Sequence, residues 1–107
     1  MTAYTLLVMT NAVKGREDEY NDWYSNRHSE DLLKIDGVLG VRRFKRPDGE
    51  FGRYKYIALY DIETDQPAAV MAELAKRGGT DALPISSAMD KNVSAILYEA
   101  VAPPIKA

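Results

Sequence analysis

The sequence predicts a single α+β domain with βαββαβ order: a four-stranded antiparallel sheet with both helices on one face. Three observations predict it. Strand-like and helix-like segments follow one another as strand, helix, strand, strand, helix, strand. Glycine, proline and asparagine clusters separate them. The strands carry apolar side chains on both faces, so the sheet needs cover on both sides. A chain of 107 residues suits one domain. Residues 1–102 are expected to form it, with 103–107 as a C-terminal tail.

The first strand is expected over about 4–10, Tyr-Thr-Leu-Leu-Val-Met-Thr, apolar on both faces. Asn11 to Gly15 is a loop. Glu17, Asp18 and Glu19 then place negative charge where a helix begins, which suits the positive end of its dipole. That helix is expected over about 17–34. Tyr20, Tyr24, His28 and Leu32 recur every four residues on one stripe, with Trp23, Arg27 and Asp31 beside it. Ile35-Asp36-Gly37 ends the helix, the glycine suiting a left-handed cap. The second strand covers 38–45, followed by a turn at Arg46-Pro47-Asp48-Gly49, with proline second and glycine fourth. A third strand over about 53–61 puts Tyr54, Tyr56, Ala58 and Tyr60 on one face. Lys55, Ile57, Leu59 and Asp61 fall on the other.

Thr64 or Asp65 is expected to cap the second helix, with Pro67 in its first turn. Val70, Met71, Leu74 and Ala75 are its inward face, and Gly78-Gly79 stops it. After a polar stretch the last strand covers about 93–101. The tail, Pro103-Pro104-Ile105-Lys106-Ala107, reads as a terminal extension or a strap on a partner. The compact arrangement of this order is the ferredoxin-like plan. Its uncovered sheet face would carry Ile57 and Leu59. Leaving such a face wet costs about 25 cal/mol per Å² of apolar area. A second copy would cover it, so a homodimer through the sheet face is expected.

Composition removes several classes. Fourteen basic and sixteen acidic residues leave a formal charge of -2, no footprint for nucleic acid. The run Arg42, Arg43, Lys45, Arg46 sits beside Asp48 and Glu50 and reads as a solvated strand end. The apolar start Leu6 to Met9 is too short for a secretory signal, and no run approaches a membrane span. There is no cysteine, which removes disulfides and thiolate metal ligands and fits a cytoplasmic location. One histidine makes a metal centre unattractive. Asp22, His28 and Asp31 are a conceivable set, but positions 22 and 28 share a helical face poorly. Gly37-Val38-Leu39-Gly40 and Gly78-Gly79 are turn signals rather than phosphate cradles. No cofactor is expected.

The segment Tyr20 to His28 carries the candidate chemistry. His28 is the only side chain whose unperturbed pKa lies between pH 5 and 8. On an aromatic and apolar stripe facing the sheet, it could take a proton from a substrate and return it. The alternative is a packed histidine hydrogen-bonded to a tyrosine or a carbonyl. Trp23 and Tyr24 are either core aromatics or the wall against which a flat ligand stacks. Asn21 could hydrogen-bond a ligand or simply face water. Arg27 and Asp31 form an i,i+4 ion pair of about 0.2–0.5 kcal/mol. Tyr54, Tyr56 and Tyr60 pack well in a strand, but their phenols could also polarise an enolising carbonyl. Arg42 would join them if the second strand turns it to that face.

The run Trp23-Tyr24-Ser25-Asn26-Arg27-His28, with Asp31-Leu32-Leu33, Ile35-Asp36-Gly37-Val38 and Arg42-Arg43-Phe44, resembles the EthD-like branch of the dimeric α/β-barrel superfamily. Members often have proline before the glycine, where this chain has Asp36. The resemblance covers the first half best. It implies a ferredoxin-like homodimer with a pocket between sheet and helices, and it implies His28 as a pocket histidine with Trp23 and Tyr24 beside it. The superfamily includes cofactor-free cyclases, quinone-forming monooxygenases, lactone isomerases and haem enzymes. Haem is unattractive here: the lone histidine is early, whereas haem-binding members are generally longer and bring their ligand from a later helix.

Three functions remain open. The first is a cofactor-independent enzyme on a small aromatic or polyketide-like carbonyl compound, a lyase or isomerase in type. It would work as a cyclase, isomerase or dehydratase, with His28 as base and a tyrosine, Tyr54 or Tyr56, beside it; a cofactor-free monooxygenase is its variant. Asn21, Trp23, Tyr24, Tyr60 and Arg42 would hold the substrate. The second is a binder of a small hydrophobic or aromatic ligand without turnover. The third is an interaction module with these residues simply packed.

Overall fold

The computed structural model describes residues 1–107. Four strands, β1 (Thr2–Thr10), β2 (Val38–Lys45), β3 (Tyr56–Thr64) and β4 (Ser94–Glu99), form one antiparallel sheet in the order β2-β3-β1-β4. β1 and β3 are the central pair, with Leu6 opposite Tyr60 and Thr10 opposite Tyr56. The expected βαββαβ plan is the one the chain adopts.

The long helix runs as Glu17–Trp23, a wider π-helical turn at Tyr24–His28, and Ser29–Leu33. That turn explains how a four-residue spacing stays on one stripe. In a helix of 3.6 residues per turn each such step drifts by about 40°. The wider turn swings the stripe back, and Tyr20, Tyr24, His28 and Leu32 are all buried. Gly37 then takes φ +95, and a Cβ there would sit 3.2 Å from the Glu63 carbonyl oxygen. The same peptide accepts a hydrogen bond from the Glu63 N–H. Glycine is therefore required both by backbone conformation and by the approach of β3.

The second helix, Pro67–Arg77, starts with proline at its first turn as expected, but its cap differs. Gln66 occupies the cap position without a side-chain bond, and Thr64 Oγ1 instead accepts from the Gln66 N–H to shape the preceding turn. Val70 is buried and Met71 and Leu74 half-buried, whereas Ala75 faces solvent. No helix is long and apolar enough to cross a membrane.

Three local corrections concern the strands. β3 begins at Tyr56 rather than near 53, because the Asn11 side chain takes the place of a strand partner. Its amide donates to the Arg53 carbonyl and accepts from the Lys55 N–H, both at 2.8 Å. The β2–β3 turn is one residue later than the sequence suggests. Glu50 N–H reaches the Pro47 carbonyl, which puts Gly49, φ +89, at the third position. β2 carries a bulge between Val38 and Gly40: two residues advance there against one on β3. The bulge reverses the face of everything after it. Val41, Arg43 and Lys45 turn toward the helices with Tyr60, Ala58 and Tyr56, and Arg42 and Phe44 turn away.

The core lies between sheet and helices. Leu6, Tyr56, Ala58, Tyr60 and Ile62 from the sheet meet Tyr20, Tyr24, Leu32, Ile35 and Val70 from the helical side. The opposite sheet face carries Leu7, Met9, Ile57 and Leu59, half-buried, and Phe44, Ile96 and Tyr98, exposed. Nothing within the chain covers it.

Candidate functional site

The long helix presents an aromatic box to the sheet. The Trp23 and His28 ring centres are 4.6 Å apart, and Tyr24 meets His28 edge-on at 4.8 Å. Tyr24, in turn, is 5.5 Å from Trp23 and 5.7 Å from Tyr20. The π-helical turn brings Tyr24 and His28 into this contact, and such turns occur frequently at functional sites. His28 is only 8 % exposed. Burial pulls its pKa down to about 4, with Arg43 adding to the fall and Asp31 opposing it. The imidazole is therefore neutral at pH 7.

Three enclosed polar atoms here have no protein partner of good geometry: Trp23 Nε1, His28 Nδ1 and Ser29 Oγ. Ser29 lies near enough to the Tyr60 hydroxyl to influence it, though without a well-formed bond. Asp31, just beyond, is buried but well paired. It accepts from Arg27 Nε at 2.7 Å and faces Lys34 Nζ at 3.5 Å. Burial raises its pKa, and these two cations outweigh that and lower it. The ion pair read from the sequence exists, with its acidic end inside rather than on the surface.

The tyrosines divide. Tyr60 and Tyr24 are fully buried, and the Tyr60 hydroxyl donates to Tyr24 at 2.9 Å. Burial pushes Tyr24 up to about 12 and Tyr60 higher still, so both are neutral phenols. Tyr20 pairs with Thr10 beside them. Tyr56 faces a polar cleft: its hydroxyl donates to Glu17 Oε2 at 2.6 Å and accepts from Asn21 Nδ2 at 3.2 Å. Its burial and that carboxylate raise its pKa. Tyr54 stands outside the strand, and its hydroxyl donates to Asn92 rather than joining Tyr56 and Tyr60.

Arg42 does not join the site. The bulge places it on the face away from the helices, over the Phe44 ring at 4.9 Å. Arg43 takes the place expected of it. Its guanidinium donates to Ser25 Oγ at 2.8 Å and Asn21 Oδ1 at 2.9 Å, 4.3 Å above the Tyr24 ring centre. Glu17, expected only to complement the helix dipole, pairs with Lys55 at 3.0 Å and with Tyr56. Those bonds hold its pKa below the usual carboxylate range. Asn21, Arg43, Phe44, Lys45 and Tyr56 line a cleft of about 210 Å³. Two larger hollows lie elsewhere, one beside the second helix and one, of about 750 Å³, where the C-terminal tail leaves the sheet. His28 lines none of the three.

The sequence matches no protein-family model and no curated protein. Solved structures share its fold. The heme-degrader MhuD from Mycobacterium tuberculosis, solved with two hemes in its active site, superposes with a TM-score of 0.65 at 16% identity. The match covers 94% of this chain and 98% of that one. A dimeric ferredoxin-like protein of unknown function from Thermobifida fusca gives 0.58 at 10% identity, with 92% of each chain covered. A protein of the ethyl tert-butyl ether (EthD) family from Bacillus halodurans gives 0.53 at 12% identity, covering 94% of this chain and 100% of that one. The ferredoxin-like fold expected from the sequence, and its likeness to the EthD-like dimeric barrels, is thus matched at the level of structure. The heme-bound neighbour is of comparable length, so length does not separate this chain from heme binders.

Proposed function

We propose that this chain is a homodimeric small-molecule-binding protein whose ligand is a flat aromatic or carbonyl compound held against Trp23, Tyr24 and His28. One observation carries the reading: Trp23 Nε1 and His28 Nδ1, on touching rings, are enclosed without a partner. Each such group costs about 1–3 kcal/mol, and native proteins leave few. A ligand bearing a carbonyl and a neighbouring hydroxyl would satisfy both, accepting from the indole N–H and donating to the neutral imidazole. Trp23 is the half-buried member of the box, so this reading requires it to shift to admit the ligand. Dimerisation through the sheet face would leave this side free, and the dimeric neighbour has the same fold.

Trp23 is the chain's one tryptophan, so its fluorescence reports the site. Titration with aromatic ketones should give saturable quenching, weakened about tenfold in His28→Gln through the loss of one buried hydrogen bond. Linear, unsaturable quenching would contradict the reading.

Catalysis is the second reading, favoured by the neutral state that burial imposes on His28, the form a base requires. His28 would then be the general base of a cofactor-free cyclase, isomerase, dehydratase or monooxygenase. A base of such low pKa handles only an acidic C–H, such as that between two carbonyls. Of the phenols, Tyr56 at the cleft is the one this reading keeps; Tyr24 and Tyr60 are bonded to each other and Tyr54 lies elsewhere. Turnover of polyketide-like 1,3-dicarbonyl compounds, level above about pH 5 and lost in His28→Gln, is its signature. Binding without product leaves the first reading alone.

No group of three or more His, Asp or Glu is placed to hold a metal ion.

A further inference from the structure

Arg43 is a cation without a carboxylate. Its partners are Ser25 Oγ and Asn21 Oδ1, and its guanidinium carbon lies 4.3, 5.4 and 5.8 Å from the ring centres of Tyr24, Tyr20 and Tyr56. Neutral oxygens and ring faces orient the charge without cancelling it. Of the five N–H donors a guanidinium carries, these partners take two and leave three. Lys45 stands two residues along the same face of β2, exposed and outside every ion pair of the chain. The carboxylate at the rim, Glu17, is already held by Lys55 and Tyr56. Lys45 also acts on Glu17 through space, so Arg43, Lys45 and Lys55 together face one carboxylate and the cleft keeps a net positive charge.

We propose that this cleft anchors a carboxylate carried by the ligand, with Arg43 as its main partner and Lys45 as the second charge. The inference rests on the small-molecule reading and narrows its ligand to an aromatic acid. The planar fork of a guanidinium matches a carboxylate. A volume of about 210 Å³ is too small for a whole drug-sized ligand, which takes roughly 300–1,000 Å³, and suits a head group. Tyr24 links the two parts of the site. Arg43 lies over its ring, and His28 meets its edge at 4.8 Å. The buried Tyr24 ring is thus shared by the two places, and an acid group in the cleft would seat its aromatic body beside the ring that packs on His28.

Calorimetric titration of the full chain with 2-naphthoate and with its neutral isostere 2-naphthamide tests this. The acid should bind at least tenfold more tightly, which is about 1.4 kcal/mol, and its advantage should shrink as salt rises. Arg43→Gln should bring the ratio down to the two- to threefold that Lys45 supplies, with Arg43→Lys restoring part of the rest. Lys45→Ala, at an exposed position, should lower acid affinity two- to threefold without moving the melting temperature. Equal binding of acid and amide by the native chain overturns the anchor but leaves the small-molecule reading standing. An acid preference that survives Arg43→Gln undiminished also overturns it. Failure of both probes to bind removes the site and the anchor together.

Discussion

The two faces of the sheet are built to different rules. On the helix side, Tyr56, Ala58, Tyr60 and Ile62 are buried by the chain's own helices and their polar ends are bonded. On the other side, Ile57 and Leu59 alternate with them along β3 but remain half-exposed, beside Phe44, Ile96 and Tyr98. The strand is equally apolar on both sides, so sequence period alone does not decide which face is core. What decides is which face the helical connections cross. The covered face acquires aromatic rings, a buried histidine and a clamped arginine. The uncovered one keeps an apolar surface, aliphatic along β3 with the exposed rings of Phe44 and Tyr98 beside it, suited to a second copy.

The largest test breaks the covered face. Tyr60→Ala should cost about 3–5 kcal/mol in urea unfolding, as expected for truncating a buried aromatic. Next is a pH dependence confined to that face. The folded-state pKa of His28 lies below its unfolded value, so the unfolded chain binds the proton first. The stability His28 contributes is full above about pH 6.5 and is lost as pH falls toward 4. By linkage the loss approaches about 3 kcal/mol, and His28→Gln should flatten the curve in this window. Glu17 and Asp31, both lowered, lose their contribution as pH falls below the ordinary carboxylate range, which separates them from His28.

Smaller effects sharpen the comparison. Gly37→Ala, at a left-handed position against the Glu63 carbonyl, should cost about 1 kcal/mol or more, read by thermal unfolding. Tyr60→Phe removes only the bond to Tyr24 and should cost about 1 kcal/mol. Leu59→Lys on the uncovered face should change monomer stability by less than about 0.5 kcal/mol. In light scattering it should nevertheless convert a dimer into a monomer. A native chain that is monomeric at micromolar concentration would remove the second copy from the account.

Much of this is legible in the residues. Apolar period and turn chemistry suffice for the element order, and the stripe Tyr20, Tyr24, His28, Leu32 identifies the inward side of the long helix. What stays hidden depends on single backbone irregularities. Val38 faces the helices, and strict alternation from it would turn Arg42 inward. The bulge at Leu39–Gly40 turns Arg43 inward instead. Phe44, the most apolar residue nearby, misleads in the same direction, because the face it joins is also apolar. Gly40, mid-strand, is the one local hint of a bulge. Tyr54 follows the alternation of Tyr56 and Tyr60, yet the Asn11 side chain ends the pairing before it. The polar partners of the site, Glu17 with Lys55 and Arg43 with Ser25, join residues far apart in the chain, and no spacing rule connects them.

His28 is the single histidine, so its imidazole nitrogens can be followed alone by NMR through a pH titration, with and without an aromatic ketone. The account predicts a ring that is neutral at pH 7 and takes its proton with a midpoint at about pH 4, and a shift of Nδ1 on ligand addition. A ring that titrates near 6.5 and ignores the ligand would contradict it.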